Sequence, residues 1–134
     1  MTDKNNITEQ IEQVKNRVSE VIALAKSLGA DGAEVAMSRQ QGLSVSTRLG
    51  EVETVEFTND GALGITVYQQ GRKGSASTAD LSDGALKQSV QAAINIAKYT
   101  SVDECSGLAD KEMLAMDPLD LDLHHHKELS TDQA

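Results

Sequence analysis

The chain has very few aromatic residues. Tryptophan is missing, and one phenylalanine and two tyrosines make up 2% of the 134 residues, so a core must be built from aliphatic side chains. Clusters of Lys and Arg are also missing, and the formal net charge is −9 at pH 7. Because a nucleic-acid surface needs grouped basic residues to neutralise phosphates, the composition argues against direct nucleic-acid binding.

Cysteine and long apolar runs are scarce as well. The single cysteine, Cys105, excludes an internal disulfide and fits a reducing compartment. Its neighbours Asp103 and Glu104 are acidic, whereas a nucleophilic thiol needs a base or a cationic partner. No run of 18 apolar residues is present, and the first residues are too polar for a signal peptide. The sequence therefore predicts a cytoplasmic protein that does not enter a membrane.

Two segments repeat apolar residues at the spacing of an amphipathic helix. The first covers residues 7–28, with Asn6 and Glu9 as a predicted capping pair and Gly29 as the stop. The second begins with Asp80 as N-cap and continues to about residue 99. We expect both apolar stripes to pack on a sheet, in preference to a coiled-coil seam. The stripes comprise Ile7, Ile11, Val14, Val18, Val21, Ala25 and Leu28 in the first segment, and Leu86, Val90, Ala93, Ile94 and Ala97 in the second.

Residues 44–80 alternate apolar and polar side chains in four short runs separated by glycine turns. Leu49-Gly50 and Gln70-Gly71 have the pattern of tight hairpin turns, and Asn59-Asp60-Gly61 marks a turn between them. A further alternating run, Ala33 to Arg39, precedes these strands. The last strand is built from small residues that let a helix or another subunit approach closely, namely Gly74, Ala76 and Thr78.

These elements predict an α+β fold in two layers. Its sheet is a four-stranded antiparallel meander, flanked in the sequence by one helix on each side. This domain comprises residues 1–100. Residues 101–134 form an extended or irregular segment that leads toward a missing C-terminal domain, and we expect the chain to be a fragment.

The final segment alternates acidic residues with isolated leucines and methionines. Pro118, the only proline, prevents a long helix through it, so we expect only a short helix near Lys111 to Met116. Downstream of Pro118 we expect docking on an apolar surface by Leu119, Leu121 and Leu123.

The Leu49-Gly50 hairpin predicts one buried and one solvated face. An ion pair between Arg48 and Glu51 would lie on the solvated face, and the buried face would hold Leu43, Val45, Thr47, Val52 and Thr54. Val55 and Phe57 fall on the charged side, so either a bulge turns them inward or something absent here partly covers that face. The second alternative makes this face a candidate interface with apolar anchors and an acidic rim. The interface residues are Arg48, Glu51, Glu53, Val55 and Phe57.

Two other kinds of motif, a histidine run and two glycine motifs, do not predict a metal site or a phosphate-binding site. Residues 124–126 are histidines near Asp117, Asp120 and Asp122, and these side chains are zinc ligands elsewhere. Consecutive residues of a strand point to opposite faces, so we favour a polar linker over a metal site. The glycine motifs at 61–64 and 71–74 do not precede a helix and do not match phosphate loops. The sequence predicts no catalytic, cofactor-binding or metal-ligating residue.

Several separated blocks resemble the PmbA/TldD family, most closely its PmbA (TldE) branch. In chain order they are Asp31-Gly32-Ala33-Glu34-Val35, Gly50-Glu51-Val52-Glu53, Asp60-Gly61-Ala62-Leu63-Gly64-Ile65-Thr66-Val67-Tyr68 and Ala97-Lys98-Tyr99-Thr100. The resemblance covers nearly the whole chain and implies the N-terminal domain of a longer bacterial cytoplasmic protein.

The resemblance also implies a function. Family members have been described as modulators of DNA gyrase, and a TldD-type and a PmbA-type subunit pair into a zinc metalloprotease that trims leader peptides and degrades antitoxin-type proteins. The family's His-Glu-x-x-x-His zinc motif belongs to the TldD branch, and no position here matches it. The implied role is therefore subunit assembly or substrate channelling, with zinc in the TldD-type partner. The alternative is a stand-alone acidic module that binds a partner protein through the strand face or through Leu119–Leu123.

Overall fold

The computed structural model describes residues 3–123, 125 and 129–134. In that part of the chain it contains two α-helices, three strands and one short 3₁₀ helix. The strands form one antiparallel sheet in the order β1-β2-β3. The bounds are α1 Asp3–Ser27, β1 Gly32–Arg48, β2 Glu51–Gln69, β3 Arg72–Thr78, α2 Asp83–Tyr99 and the 3₁₀ helix Lys111–Met113.

The α+β class is correct, but the predicted four-stranded meander is wrong. The expected turn at Asn59-Asp60-Gly61 does not form, because β2 runs through it as one strand of 19 residues. Tight hairpin turns require positive φ, and Gly61 does not have it. Asn59 instead pairs across the sheet with Gln41, whose Nε2 donates a hydrogen bond to Asn59 Oδ1 at 3.2 Å. The run from Ala33 to Arg39 likewise continues into the hairpin as part of β1.

The other two predicted turns are confirmed. Leu49 and Gly50 have φ values of 54° and 84°, and Gln70 and Gly71 have values of 52° and 69°. Positive φ at both central residues is the property of a type I′ turn, whose twist matches that of paired strands. These turns join β1 to β2 and β2 to β3.

The chain divides into two compact units. The core unit comprises Met1–Ser38 and Gly61–Leu114, and the hairpin unit comprises Arg39–Asp60 and Ala115–Ala134. The two long strands, β1 and β2, contribute residues to both units.

The core unit is held together by aliphatic side chains between the helices and the sheet. α2 packs on β3, and α1 packs on α2. The largest fully buried residues lie on one face of β2 and one face of α2, and the predicted α2 stripe is buried throughout. Burying such a side chain contributes about 1.5–3 kcal/mol. The buried apolar residues are Val21, Ala25, Ala30, Ala33, Leu63, Ile65, Val67, Leu86, Val90, Ala93, Ile94 and Ala97.

The ends of α1 show why local sequence predicted one boundary and missed the other. Gly29 has φ +98°, and its N–H donates to the Lys26 carbonyl at 3.0 Å, while Ala30 N donates to the Ala25 carbonyl at 3.1 Å. This is the Schellman arrangement, so the predicted stop is confirmed. The predicted start at Asn6 is wrong, because the helix already begins at Asp3.

The start of α2 differs from the predicted N-cap by two residues. Ser82 is the cap, and its hydroxyl accepts a hydrogen bond from Ala85 N at 3.4 Å. Asp80 instead accepts a hydrogen bond from Ser82 N at 2.9 Å. Hydrogen bonds from the backbone and then the side chain of Ser82 lower the pKa of the Asp80 carboxyl. Asp83 lies in the first turn of α2, and it pairs with Arg17 of α1 at 2.5 Å.

Two polar side chains fix the β2–β3 turn to the elements beside it. Asp31 Oδ2 accepts a hydrogen bond from Gln70 N at 2.7 Å, so the residue that precedes β1 holds the turn. Arg72 Nη1 donates to the carbonyl oxygens of Lys98 at 2.8 Å and Thr100 at 3.2 Å. A cation at these carbonyls complements the negative end of the α2 dipole.

Candidate interface on the hairpin unit

The hairpin unit contains no buried residue among those that the structure describes. Leu43, Val45 and Thr58 are half-buried, and its other described residues are exposed. The prediction of one buried hairpin face is therefore wrong, since Thr47, Val52 and Thr54 are all exposed. The alternation of apolar and polar residues identifies the strands correctly, but no second layer covers the apolar side within this unit.

The charged residues of the candidate interface pair differently from the prediction. Arg48 Nη1 lies 3.2 Å from Glu53 Oε1, and no ion pair joins Arg48 to Glu51 among the described residues. The Arg48 and Glu53 side chains are 74% and 48% exposed, so the pair contributes less than ~1 kcal/mol to stability. Glu51 is also exposed, and all three groups remain available to a partner.

The apolar residues of the candidate interface are uncovered. Phe57, the only phenylalanine of the chain, is 74% exposed, and Val55 is 48% exposed. Val52 and the turn residue Leu49 are also exposed, at 56% and 99%. Single exposed apolar residues are ordinary on a protein surface, but here four lie exposed between positions 49 and 57. Since none of the unit's described residues is buried, that part of the chain lacks a core of its own.

The second part of the hairpin unit is equally open. Leu119, Leu121 and Leu123 are 82%, 64% and 83% exposed, so the expected docking of these leucines does not occur within the described residues. Asp122 between them has φ +48°, and its N–H donates to Asp120 Oδ1 at 3.0 Å.

The short helix expected near Lys111 to Met116 lies in the core unit and is a 3₁₀ helix limited to Lys111–Met113.

The described residues do not provide a metal site. They contain no group of three His, Cys, Asp or Glu side chains placed to hold an ion. Of the histidine run, His124 and His126 lie outside the described residues. His125 is exposed, and its Nε2 lies 4.0 Å from Asp122 Oδ2. The described residues therefore offer no ligand set for the zinc that the family resemblance implies for the partner.

An open groove of about 440 Å³ lies on the sheet of the core unit. Its polar lining includes a hydrogen bond between the Thr66 and Ser75 hydroxyls at 2.9 Å. Glu34 lines the groove and accepts a hydrogen bond from Tyr68 Oη at 3.3 Å. Desolvation, and then the charge of Glu34 and this hydrogen bond, raise the pKa of Tyr68. The groove holds hydroxyls and a carboxylate, but no histidine or cysteine lines it.

The remaining predicted motifs lie in regular structure or in turns. Residues 61–64 belong to β2, and residues 71–74 form the end of a turn and the start of β3, so neither cradles a phosphate. Cys105 is exposed as a free thiol. The helices of the described region are also too short or too polar to span a membrane. Sequence reasoning missed the roles of Arg72 and Asp31, whose partners lie far away in the chain.

A sequence model for the PmbA/TldA metallopeptidase domain 1 matches residues 33–97. The chain is 56% identical over 131 residues to the metalloprotease PmbA of Escherichia coli O157:H7, covering 96% of this chain and 29% of that protein. It is 54% identical to the PmbA homologue of Haemophilus influenzae, covering 93% of this chain and 28% of the relative. The chain thus spans less than a third of the length of these curated relatives.

Two solved structures share the fold. A candidate modulator of DNA gyrase from Bacteroides thetaiotaomicron aligns with a TM-score of 0.69 at 24% identity, over 79% of this chain and 24% of that one. TldE from Thermococcus kodakarensis aligns with a TM-score of 0.58 at 22% identity, over 66% and 20%. The resemblance found in the sequence is confirmed, and the chain belongs to the PmbA/TldD family.

Proposed function

We propose that this chain is a non-catalytic domain of a PmbA/TldE-like subunit in a TldD/PmbA-type zinc metalloprotease of the cytoplasm. Its role is subunit assembly or the channelling of peptide substrates, and the TldD-type partner supplies the zinc. The identity to proteins named metalloprotease PmbA supports the family context. The assignment to assembly or channelling comes from the hairpin unit.

The observation that carries this role is the missing core of the hairpin unit. Folding restricts each residue at a cost of about 1–2 kcal/mol in backbone entropy, and buried apolar area must offset that cost. None of the described residues of the hairpin unit is buried, while Phe57 and Val52 are mostly exposed. A partner that covers these residues would supply the burial that the unit lacks on its own.

The chemistry of the hairpin specifies the partner surface. Phe57 and Val55 are the kind of apolar anchors that fill pockets at the centre of an interface, where binding energy is concentrated. Glu51 and the Arg48–Glu53 pair would form a polar rim around them. We therefore expect the TldD-type subunit to present an apolar pocket that is flanked by basic residues.

A binding experiment with matched variants tests this role. The chain is mixed with the TldD-type subunit from the same genome, and the Kd is measured by isothermal titration. Phe57→Ser should weaken binding at least tenfold, because it removes the largest anchor. Tyr99→Ser is the control, since Tyr99 is an aromatic residue of the core unit that is 92% exposed. A Phe57→Ser variant that binds as tightly as the parent would remove the hairpin from the interface.

Zinc content and peptidase activity are then measured on the complex and on each component. Zinc and activity that require the TldD-type subunit support a non-catalytic role for this chain. Zinc-dependent cleavage by this chain alone would overturn it. If the two proteins do not associate, the proposal fails and the acidic binding module becomes the better explanation.

A further inference from the structure

We propose that the segment Leu119–Leu123 is a docking strand that adds to the edge of a β-sheet in the TldD-type subunit. The receiving sheet would have an apolar inner face and Lys or Arg side chains on its outer face. This inference rests on the proposed function and assigns the partner a second contact, separate from the Phe57 side chain.

The sequence of the segment has the period of a strand. Leucines occupy positions 119, 121 and 123, and aspartates occupy positions 120 and 122. Because successive side chains of a strand point to opposite faces, an extended segment presents three leucines on one face and two carboxylates on the other. Pro118 precedes it and lacks an N–H, as is tolerated at the first residue of a strand or on an edge.

The conformation of the free segment is held by a local contact. Its three leucines are 64–83% exposed, so packing does not hold it in place. Asp122 is in the left-handed region at φ +48°, closed by the exposed hydrogen bond from its N–H to Asp120 Oδ1. Moving Asp122 to negative φ would extend the segment at the loss of this one hydrogen bond, and it would relieve an unfavourable backbone conformation.

The charge of the segment distinguishes a basic partner protein from a second copy of this chain as the binding partner. Residues 114–123 contain three aspartates and no Lys or Arg, and the whole chain has a net charge of −9. A second copy of this chain would bring further carboxylates to the contact, including the exposed Glu51 and Glu56 of its hairpin. Like charges directly opposite each other on paired strands are unfavourable, whereas Lys or Arg opposite Asp120 and Asp122 are favourable. The segment therefore fits a basic partner.

The first test measures the Kd for the TldD-type subunit with leucine variants of the full 134-residue chain. The triple change Leu119→Ser, Leu121→Ser and Leu123→Ser should weaken binding at least tenfold. Met113→Ser is the control, because Met113 is 80% exposed and lies in the core unit. Since none of these residues is buried, circular dichroism should show unchanged folding. A triple variant that binds within twofold of the parent would overturn the inference.

A second pair of variants tests the change to an extended strand. Asp122→Asn and Asp122→Val remove the same charge, but asparagine tolerates positive φ and valine does not. The Asp122→Val variant should therefore bind several-fold more tightly than the Asp122→Asn variant, because valine disfavours the closed turn of the free segment. Equal affinities, or tighter binding by Asp122→Asn, would contradict strand addition.

The outcomes separate this inference from the proposed function. If Phe57→Ser weakens binding and the triple leucine variant does not, the hairpin interface stands and the docking strand is wrong. If the parent chain itself does not bind the TldD-type subunit, both fail. Weaker binding by both variants, with Met113→Ser and Tyr99→Ser unchanged, supports both contacts.

Discussion

Gly74 of β3 lies directly against Ala93 of α2, with no space for a side chain between them. A Cβ atom built on Gly74 would lie 2.0 Å from the Ala93 carbonyl oxygen and 2.5 Å from Ala97 N. Both atoms belong to the helix backbone, so a side-chain rotation cannot relieve the overlap. Of the two alternatives predicted for this strand, a helix or another subunit, Gly74 shows the close approach of a helix.

Gly74→Ala should destabilise the chain strongly, because α2 must move away from the sheet. Overpacking a core typically costs about 1–3 kcal/mol, and the backbone contact here places the expected loss at or above the upper end. Gly64→Ala is the matched control, since no atom lies within 4 Å of the position its Cβ would take. Urea unfolding followed by circular dichroism measures both. A Gly74→Ala variant as stable as Gly64→Ala would contradict the packing of α2 on β3.

The buried face of α1 can be tested by a charge placed at two positions on the same helix. Val21 is 3% exposed and Ile11 is 50% exposed, although both belong to the same predicted stripe. Val21→Asp should unfold the chain, because it buries a carboxylate without a partner. Ile11→Asp should cost less than about 1 kcal/mol, as surface changes do. Thermal unfolding distinguishes them, and a cooperative transition of Val21→Asp near the parent Tm would refute this packing.

The Tyr68 hydroxyl should make the stability of the chain depend on pH in the alkaline range. Its pKa is raised in the folded state, chiefly by desolvation and next by the Glu34 carboxylate. Above the ordinary tyrosine pKa of about 10 the unfolded chain loses this proton first, so stability is complete below that pH and falls as the pH rises through the folded pKa.

Urea unfolding across this range should give a steeper alkaline loss of stability for the parent chain than for Tyr68→Phe. Glu34→Gln should reduce the shift in a spectroscopic tyrosinate titration without removing it, because desolvation is the larger cause. Tyr99→Phe serves as the control, as Tyr99 is 92% exposed. An alkaline slope that persists unchanged in Tyr68→Phe would assign it to other groups.

Features set by neighbouring residues were predictable from the sequence. Gly29, Leu49-Gly50 and Gln70-Gly71 adopt the positive φ values that their positions predict. The α2 stripe is buried because its period alone defines the face that meets the sheet. Asn59-Asp60-Gly61 has the composition of a turn, yet it lies within β2 opposite β1, a continuous strand of 17 residues, and this pairing overrides the local preference.

The candidate site was less predictable, for two physical reasons. The alternation of apolar and polar residues is the same whether one face of a strand is covered by a second layer or exposed to solvent. The pattern therefore placed Val52 on a face expected to be buried, whereas the residue is 56% exposed. The pairing of Arg48 with Glu53 in place of Glu51 depends on a side-chain geometry that strand spacing does not specify. The exposure of Val55 and Phe57 follows from the absence of a second layer within the hairpin unit.

Arg72 should stabilise the end of α2 although it looks like an ordinary hairpin residue. Its guanidinium donates to the carbonyl oxygens of Lys98 and Thr100, at 2.8 and 3.2 Å, across 26 and 28 residues of sequence. Arg72→Met keeps much of the aliphatic stem and removes both hydrogen bonds, each of which involves a charged donor. We expect a loss of about 1.5–3 kcal/mol in urea unfolding.

Lys73→Met is the control for Arg72→Met. It should change stability by less than about 0.5 kcal/mol, because Lys73 is exposed on the same strand. Hydrogen exchange should also show faster exchange of the last turn of α2 in Arg72→Met alone, since the carbonyls that lose the guanidinium belong to that end of the helix. Equal stabilities of the two variants would mean that the guanidinium does not hold the helix end.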